Sequence, residues 1–242
     1  MLNARTRRMA ERFLPGILLR VLDPVQAAIE MEVAGLAGVL REGEVLLDAG
    51  AGEARHRRYF RTGRYVALDR GHGEPAWDYS NLDVVGDLEL LPMRPSSVSH
   101  IVCMVVLEHT RRPATVLSEF SRVLRPGGQL RMVVPFHWEE HQAPNDYFRF
   151  TRYGVKLLFE GLPFTVDSVE PIGGFFGVCA RRSIDLLGFL QRGWRWILFV
   201  PLAPVFGLLL PLLLQLLDGV DVEKRYSLAF RVRATRRSGA GE

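Results

Sequence analysis

Cysteine is scarce in this sequence. Of its 242 residues only Cys103 and Cys179 are cysteines, and each lies in an apolar run. Two such residues cannot form a disulfide framework, and they do not make the paired CxxC pattern of a structural zinc site. The sequence therefore predicts a protein of a reducing, cytoplasmic environment.

An excess of charge of one sign is also lacking. The chain has 31 Lys and Arg against 27 Asp and Glu, and 48% of its residues are apolar against 24% charged. This composition excludes a disordered chain. The basic residues form no stripe interleaved with aromatic residues, and no NPPY or DPPY motif follows the predicted fourth strand, so nucleic acid is not an expected partner.

One long apolar run is present. It extends from Trp196 to Leu217, 22 residues without a charge. As a helix it would be about 33 Å long, enough to cross a bilayer core of about 30 Å. Pro201, Pro204 and Pro211 interrupt it and favour a bent path. Basic and aromatic residues precede it, as expected at a cytoplasmic membrane face with anionic lipids: Arg181, Arg182, Arg192, Trp194 and Arg195.

The N-terminal segment, residues 1–40, is predicted to be basic, amphipathic and helical. Its first 20 residues contain one acid, Glu11, and five arginines, which are Arg5, Arg7, Arg8, Arg12 and Arg20. The apolar run from Phe13 to Leu19 is broken by Pro15-Gly16, so it is too short and too interrupted for a secretory signal. The segment could lie on the same membrane surface as the long apolar run.

The middle of the chain alternates short apolar runs with helical patterns, as βαβ units do. A helix is predicted from Pro113, because the following apolar residues fall on one stripe, and Arg125 to Gly128 end it. The predicted strands are Glu44–Asp48, Tyr65–Asp69, Leu82–Gly86, His100–Leu107 and Gln129–Pro135. This order predicts an α/β, doubly wound, Rossmann-like sheet with its ligand crevice at the carboxyl ends of the strands.

A glycine turn follows the first predicted strand. Asp48 is followed by Gly50 and Gly52, and Asp69 ends the next strand 21 residues after Asp48. Glycines let a ligand approach the main chain, and a carboxylate at this spacing accepts hydrogen bonds from ribose hydroxyls. Arg55 occupies the position of the third glycine of a dinucleotide fingerprint, which favours a nucleoside cofactor without a pyrophosphate. An ordinary tight turn beside an exposed aspartate is the alternative.

A third acid, Asp87, follows the third predicted strand and precedes Leu88. A carboxylate at this strand end could accept a hydrogen bond from an exocyclic amine, while Leu88 covers the base. Adenine carries such an amine.

At this point the chain resembles the class I S-adenosylmethionine-dependent methyltransferases, and among them the small-molecule group of type 11. Five blocks match in the same order over about residues 40–180: Leu47-Asp-Ala-Gly-Ala-Gly52, Ala67-Leu-Asp69, Gly86-Asp87 with Leu91-Pro92, Val106-Leu-Glu-His109, and Ser121-Arg-Val-Leu-Arg-Pro-Gly-Gly128. The sequence departs from the pattern at Glu53-Ala54, where many relatives have an acidic residue and a further glycine.

The resemblance implies S-adenosyl-L-methionine as cofactor and gives each matching residue a role. The methionine part of the cofactor would be surrounded by Asp48, Gly50 and Gly52. Asp69 would hold the ribose. The adenine would lie between two groups, Asp87 with Leu88 on one side and Met104 with Val105 on the other.

A second block, His141 to Thr151, follows the fifth predicted strand, where an acceptor should enter. It is similar to the HxxPxDYxRFT stretch of a methyltransferase subgroup associated with saccharides and lipids. His141 or Asp146 could take a proton from an acceptor hydroxyl, and Arg149 could bind an anionic group. Tyr147 and His109 are candidate substrate contacts. The alternative is that Asp146 and Arg149 pair with each other and cap a helix that starts near Thr151.

The fold implied by the resemblance also constrains the long apolar run. Phe164–Ile172 is predicted as the sixth strand and Tyr226–Thr235 as an antiparallel seventh, so the run lies between two strands of one sheet. A single membrane crossing would separate those strands. We therefore expect the run to enter and leave a membrane by the same face, as two legs of about ten residues, or to lie flat on it. A buried core helix pair or a dimer interface is the alternative.

The sequence thus predicts four segments: the N-terminal segment 1–40, a cofactor-binding core 41–180, an apolar insertion 181–223 and the last strand with a basic tail 224–242. The predicted function is methyl transfer to a small-molecule, saccharide or lipid-linked acceptor at the cytoplasmic membrane face, with peripheral membrane contact and no metal. An NAD(P)-binding oxidoreductase and a non-catalytic membrane adaptor remain open.

Overall fold

A seven-stranded sheet with the order β3-β2-β1-β4-β5-β7-β6 forms the framework of the protein. The computed structural model describes residues 15–73, 76–191 and 193–238. The strands are β1 (Val45–Ala49), β2 (Arg64–Asp69), β3 (Val84–Val85), β4 (Val98–Met104), β5 (Leu124–Pro135), β6 (Phe164–Ile172) and β7 (Ala229–Arg236). The first five pair in parallel, β1 with β2 and β4, β2 with β3, and β4 with β5.

The last two strands run in opposite directions. The backbone N–H of Leu228 donates to the carbonyl oxygen of Ile172, and that of Arg237 donates to the carbonyl oxygen of Pro163. Residue numbers therefore rise on one strand as they fall on the other. The predicted doubly wound sheet with an antiparallel last strand is confirmed.

β6 alone has the predicted bounds: β1 and β2 differ by one residue, β7 begins three residues later than predicted, and β3, β4 and β5 differ for local reasons. β3 is only two residues long, because only Val84 and Val85 pair with β2. β4 ends at Met104, since Val105 adopts a positive φ of 59°, which a β-branched residue rarely takes and which interrupts the strand. β5 begins at Leu124 because that residue pairs with Val98 across a shift in register.

The described helices are α1 (Gly16–Leu22), α2 (Pro24–Ala37), α3 (Pro113–Val123), α4 (Arg152–Leu158), α5 (Phe175–Gly188), α6 (Trp196–Pro204) and α7 (Leu210–Leu217). The predicted stripe of α3 is confirmed, because Val116, Leu117, Phe120 and Val123 are all buried in the core. The arginines predicted to make the N-terminus basic, Arg5, Arg7, Arg8 and Arg12, lie outside the described residues, as does Arg192.

The described chain forms two compact units. One contains residues 29–170 and 230–238 with most of the sheet and the main core, and the other contains residues 15–28 and 171–229. Inside the first unit, Glu32 is buried and makes a two-pronged ion pair with Arg233, at 3.0 and 2.7 Å. The guanidinium groups of Arg131 and Arg231 lie 3.5 Å from the same carboxylate.

The long apolar run forms one helix in the second unit, Gly193–Val220, which we call the apolar helix. It comprises α6, a π-helical turn (Val205–Leu209) and α7. The expected path of two legs is therefore wrong: Pro201 and Pro204 remove hydrogen bonds and the π turn absorbs the irregularity, but a proline kinks a helix and does not reverse it. The helix is long and apolar enough to cross a membrane, and only 6% of its most apolar window is buried.

Two carboxylates tie the end of the apolar helix to the start of α5. Asp218 accepts the backbone N–H groups of Gly174, at 2.7 Å, and Gly177, at 2.8 Å, and Asp221 accepts that of Phe175 at 2.7 Å. These N–H groups have no partner within α5, so acids from a distant part of the chain act as its N-terminal cap.

Candidate active site

The glycine turn after β1 lies at the carboxyl edge of the sheet. Gly50 and Gly52 have positive φ angles of 82° and 54°, a conformation that glycine adopts without strain. The backbone N–H groups of Gly50 and Ala51 donate to the carbonyl oxygen of Leu68, at 2.8 and 3.0 Å. The turn is thereby fastened to the end of β2.

Asp69, the last residue of β2, contacts this turn directly. Its Oδ2 atom accepts the N–H of Gly52 at 2.9 Å, and its Oδ1 atom accepts the N–H of Gly71 at 2.8 Å. Each carboxylate oxygen has a further lone pair, so both could still accept a bond from a ribose hydroxyl. The geometry is therefore compatible with the ribose role that the resemblance implies.

Asp48 is engaged by side chains of its own chain. Its carboxylate is 1% exposed, accepts a hydrogen bond from the Tyr65 hydroxyl and lies 2.9 Å from Nδ1 of His56. Burial lowers the pKa of His56, but the charge of Asp48 and its hydrogen bond together outweigh burial and raise that pKa overall. Burial and Asp48 also raise the pKa of Tyr65, which keeps it a hydrogen-bond donor. No pattern in the sequence indicates that His56 and Tyr65 share this carboxylate.

Asp87 and Leu88 lie where the prediction places them, just after β3. The Asp87 side chain is partly exposed, accepts the N–H of Glu89 at 2.9 Å and lies 3.7 Å from the guanidinium of Arg70. Leu88 is buried in the core beside it. The first three strands thus bring acids to one edge of the sheet, with Asp69 and Asp87 more accessible than Asp48.

The indole ring of Trp77 forms a wall over the glycine turn. A Cβ atom built on Gly52 would lie 3.2 Å from this ring, and one built on Gly73 would lie 2.8 Å from it. On the other side of the turn, a Cβ atom built on Gly50 would lie 2.3 Å from a methyl group of Val106. The turn has no room for side chains, so only glycine fits at Gly50. Trp77 lies in no motif of the sequence, so nothing in the residue pattern predicted its position.

The hydrogen-bond acceptors at this edge of the sheet therefore fit S-adenosylmethionine. Carboxylates at the ends of β2 and β3 match the hydroxyls of a ribose and the amine of an adenine, and Trp77 offers an aromatic face beside the turn. Met104 ends β4, Val105 follows it, and both are buried.

The block after β5 is joined to the turn after β4. The backbone N–H of Tyr147 donates to the carbonyl oxygen of Glu108 at 2.9 Å, and Nδ1 of His109 lies 2.7 Å from the carbonyl oxygen of Asn145. Nε2 of His109 lies 3.1 Å from Nε2 of His141. Two histidines that are 32 residues apart in the sequence thus meet edge to face.

Asp146 and Arg149 form the pair that the sequence left as an alternative. The two guanidinium NH groups bind the two carboxylate oxygens at 2.6 and 2.7 Å. All five N–H donors of Arg149 are used, because the remaining three bind the carbonyl oxygens of Trp138, Glu139 and Phe148. Burial raises the pKa of Asp146, but Arg149 and the N–H of His141 outweigh it and lower that pKa to about 2.

The helix starts near Thr151 as expected, but its cap is Thr151 itself and not the pair of Asp146 and Arg149. The Thr151 hydroxyl oxygen accepts the N–H of Gly154 at 3.0 Å and begins α4, whereas Asp146 accepts the N–H of His141 at 2.8 Å. Asp146 and Arg149 therefore hold the shape of the segment from Trp138 to Phe148. Tyr147 is partly exposed, and its hydroxyl donates to Oδ1 of Asn145.

Glu108 is a further residue of this region, and in the sequence it is part of the Val106-Leu-Glu-His109 motif. Its side chain is 0% exposed, and neither carboxylate oxygen has a hydrogen-bond partner among the described residues. Its Oε1 atom lies 3.7 Å from Nε2 of His109 and 3.6 Å from Nε2 of His141. Burial lowers the pKa of His141, but Glu108 and Asp146 raise it by more.

Comparison with known proteins shows what this part of the chain resembles. Residues 47–132 match the family model described as a methyltransferase domain. The chain is 36% identical over 121 residues to a malonyl-[acyl-carrier protein] O-methyltransferase of Methylococcus capsulatus, which covers 43% of this chain and 44% of that protein. The chain spans less than half the length of the curated relatives it matches. The resemblance to methyltransferases is confirmed.

Solved structures show the same fold. The chain is similar to a chain of the complex between the Haloferax volcanii Trm112 methyltransferase activator and its proposed methyltransferase partner, with a TM-score of 0.54, 18% identity and coverage of 91% of this chain and 96% of that one. It is also similar to the Burkholderia thailandensis 1,6-didemethyltoxoflavin N1-methyltransferase solved with S-adenosylhomocysteine, with a TM-score of 0.52, 16% identity and coverage of 90% and 79%.

Proposed function

Because residues 47–132 form a methyltransferase domain, we propose that the protein is an S-adenosylmethionine-dependent methyltransferase with a small-molecule acceptor. The contact between Asp69 and the glycine turn is the observation that carries this proposal. It fixes a carboxylate at the end of β2 beside the main chain of the glycine turn, which is the arrangement a nucleoside cofactor requires. The oxidoreductase alternative gains no support from the family match.

In this proposal the cofactor supplies an electrophilic methyl group on a sulfonium centre. Asp69 accepts hydrogen bonds from the ribose hydroxyls, and Asp87 accepts one from the adenine amine while Leu88 packs against the base. Gly50 and Gly52 place no side chain between the main chain and the methionine part, which would contact or displace the Trp77 ring that covers Gly52. Asp48 supports this turn indirectly, because its contacts with Tyr65 and His56 anchor the end of β1.

The acceptor is proposed to enter beside His109, His141 and Tyr147, which follow the carboxyl ends of β4 and β5. Methyl transfer depends mainly on an in-line approach, so a fixed wall for the acceptor contributes as much as a base does. We assign Asp146 and Arg149 to positioning, because the guanidinium has no donor left for an anionic acceptor. His141 is the candidate for receiving the acceptor proton.

We further propose that the acceptor is a saccharide or lipid-linked molecule at the cytoplasmic membrane face. Five apolar residues of the apolar helix follow one another at spacings of four, four, three and four, which places them on one face: Val205, Leu209, Leu213, Leu216 and Val220. All are exposed. A row of this kind matches a helix lying in a membrane interface, with Trp194, Trp196 and Arg195 at its start.

Two of the basic residues expected at the lipid surface have protein partners instead. Arg181 and Arg182 bind Asp185 at 3.0 and 2.7 Å. The proposed membrane contact therefore depends chiefly on apolar side chains, with Arg195 and Arg20 as its exposed cations.

The test of the function is methyl transfer from the radiolabelled donor to a total membrane extract, followed by identification of the labelled species. We expect one labelled product with the wild-type protein and a large loss with Asp69→Ala. Asp167→Ala is the matched control, because that carboxylate binds Thr235 on β7, far along the sheet order from β2. Cofactor binding without any labelled product would instead support a non-catalytic adaptor.

A further inference from the structure

Three electron-pair donors converge after β4 and β5. They are Oε1 of Glu108, Nε2 of His109 and Nε2 of His141, which form a triangle with sides of 3.1, 3.6 and 3.7 Å. All ligand atoms of this group lie within 4.8 Å of one another.

The hydrogen bonds of the two imidazoles indicate which nitrogen carries the proton. Nδ1 of His109 faces the carbonyl oxygen of Asn145 at 2.7 Å, and Nδ1 of His141 faces that of Glu139 at 3.1 Å. A carbonyl oxygen only accepts hydrogen bonds, so each Nδ1 is the donor. In the neutral rings both Nε2 atoms then carry lone pairs, and these point toward each other and toward Glu108.

A cluster of three electron-pair donors is stabilised by a positive charge. Glu108 is fully buried, and its carboxylate has no hydrogen-bond donor among the described residues. A buried carboxylate without a donor is costly, and two imidazole lone pairs 3.1 Å apart add repulsion. A positive ion at the centre of the triangle would satisfy all three groups at once.

We propose that Glu108, His109 and His141 bind a divalent transition-metal ion of the zinc class. Ligand atoms about 2.0 to 2.1 Å from a tetrahedral ion lie about 3.3 Å apart, close to the three sides of this triangle. The carbonyl partners of both Nδ1 atoms match the outer contacts that orient metal-binding histidines. Two imidazoles select zinc, cobalt or iron over magnesium, which prefers oxygen ligands.

Three protein ligands leave a fourth position for another molecule. The His109 and His141 side chains are 13% and 20% exposed, so this position is reachable from the side where the acceptor is proposed to enter. An ion there would coordinate an acceptor oxygen and favour loss of its proton. This role deepens the proposed function and rests on it, whereas binding of the ion does not.

The test is metal content and metal binding of the full chain, purified without a histidine tag. We expect about one zinc ion per chain after exposure to Zn²⁺ and gel filtration. We also expect Co²⁺ to give the strong visible absorption bands of a tetrahedral site. Glu108→Gln and His141→Ala should each lower the affinity for Zn²⁺ by at least tenfold, the lower end of what loss of outer contacts alone causes.

His72→Ala is the matched control, because among the described residues this exposed histidine binds the carbonyl oxygen of Arg70 and no metal-ligating side chain, so metal content should stay unchanged. Circular dichroism melting distinguishes lost ligands from lost folding. A wild-type chain that stays metal-free at micromolar Zn²⁺ would overturn the proposal and indicate a proton shared by the two histidines. The proposal would also be overturned if the folded Glu108→Gln and His141→Ala variants bound as much metal as the wild-type protein.

The two proposals fail in different ways. Binding of Zn²⁺ and Co²⁺ needs no methyl donor, so a bound ion without methyl transfer would leave the site standing and contradict only the function. Methyl transfer that survives chelation and both substitutions would leave the function standing and refute the metal's role in it.

Discussion

The Oδ2 atom of Asp69 lies 2.9 Å from the backbone nitrogen of Gly52 and accepts its hydrogen bond. One carboxylate therefore joins the end of β2 to the turn after β1, 17 residues earlier in the chain. The same carboxylate is the proposed ribose acceptor, so its loss should affect both the turn and the cofactor.

Asp69→Ala should weaken binding of S-adenosylhomocysteine by about tenfold to hundredfold, because hydrogen bonds to a charged group are worth about 1.5–3 kcal/mol. Asp69→Asn retains one hydrogen-bond acceptor, so its affinity for S-adenosylhomocysteine should lie between those of the wild-type protein and Asp69→Ala. Isothermal titration calorimetry measures all three proteins. An unchanged affinity in Asp69→Ala would remove the ribose assignment.

Trp77 should report cofactor binding through its fluorescence. Its ring covers Gly52, where a ligand that approaches the turn must touch or displace it. We expect the cofactor to change the emission of the wild-type protein and to leave that of Trp77→Phe unchanged. Trp138→Phe is the matched control and should keep the response. A full response in Trp77→Phe would place the cofactor away from the glycine turn.

The pair of Asp48 and His56 should make stability depend on pH. The pKa of His56 is raised in the folded protein: burial lowers it, Asp48 raises it by more, Glu30 adds to the rise and Arg58 opposes it. The stabilisation is therefore complete below the ordinary pKa of about 6.5 and is lost as the pH rises through the higher folded value.

Urea unfolding of wild type and His56→Gln between pH 6 and 9 tests this expectation. The difference in free energy of unfolding should shrink as the pH rises. In Asp48→Asn the histidine has lost its partner, so replacing His56 in that background should give a difference with little slope. A constant difference in the wild-type background would assign the pH dependence to other groups.

Glu32 should be the most costly acid to replace in the unit that contains residues 29–170. Removal of one partner from a buried ion cluster leaves the other charges uncompensated, so Glu32→Gln should lower the free energy of unfolding by about 3 kcal/mol. Glu89→Gln is the matched control, because Glu89 pairs with the exposed Arg112 outside this cluster and should cost less, about 1 kcal/mol. Equal losses in urea unfolding would contradict the cluster's role.

The exposed face of the apolar helix should bind lipid. Replacement of Leu209, Leu213 and Leu216 by Gln removes apolar area that would enter the membrane, and vesicle binding should fall by more than tenfold. Flotation with vesicles containing phosphatidylglycerol measures it. Leu90 and Leu157, exposed leucines of the other unit, are replaced by Gln in the control. A wild-type protein that does not float would refute the membrane contact.

Much of the fold could be predicted from the sequence, because strands and turns have local patterns. β6 has the predicted bounds, Phe164–Ile172, and the glycine turn with Asp69 lies where the spacing places it. Apolar runs and glycines act within a few residues of themselves, so their order along the chain suffices.

Partners that are distant in the sequence could not be predicted. Glu32 binds Arg233 across 201 positions, and His109 meets His141 across 32. Such pairs depend on which strands become neighbours and on the register of the turns, and no spacing encodes them. The continuity of the apolar helix was missed for another reason: three prolines indicate where hydrogen bonds are lost, but not the direction that the chain then takes.

Asp218 and Asp221 cap α5, so the apolar helix helps to stabilise the unit to which it belongs. Excision of residues 196–217 would pull these carboxylates away from Gly174, Phe175 and Gly177 and expose uncapped N–H groups. If the shortened protein then failed to bind membranes, the cause could be either the loss of the lipid-binding side chains or the unfolding of this unit. Exchange of single outward side chains, with the backbone left whole, separates the two.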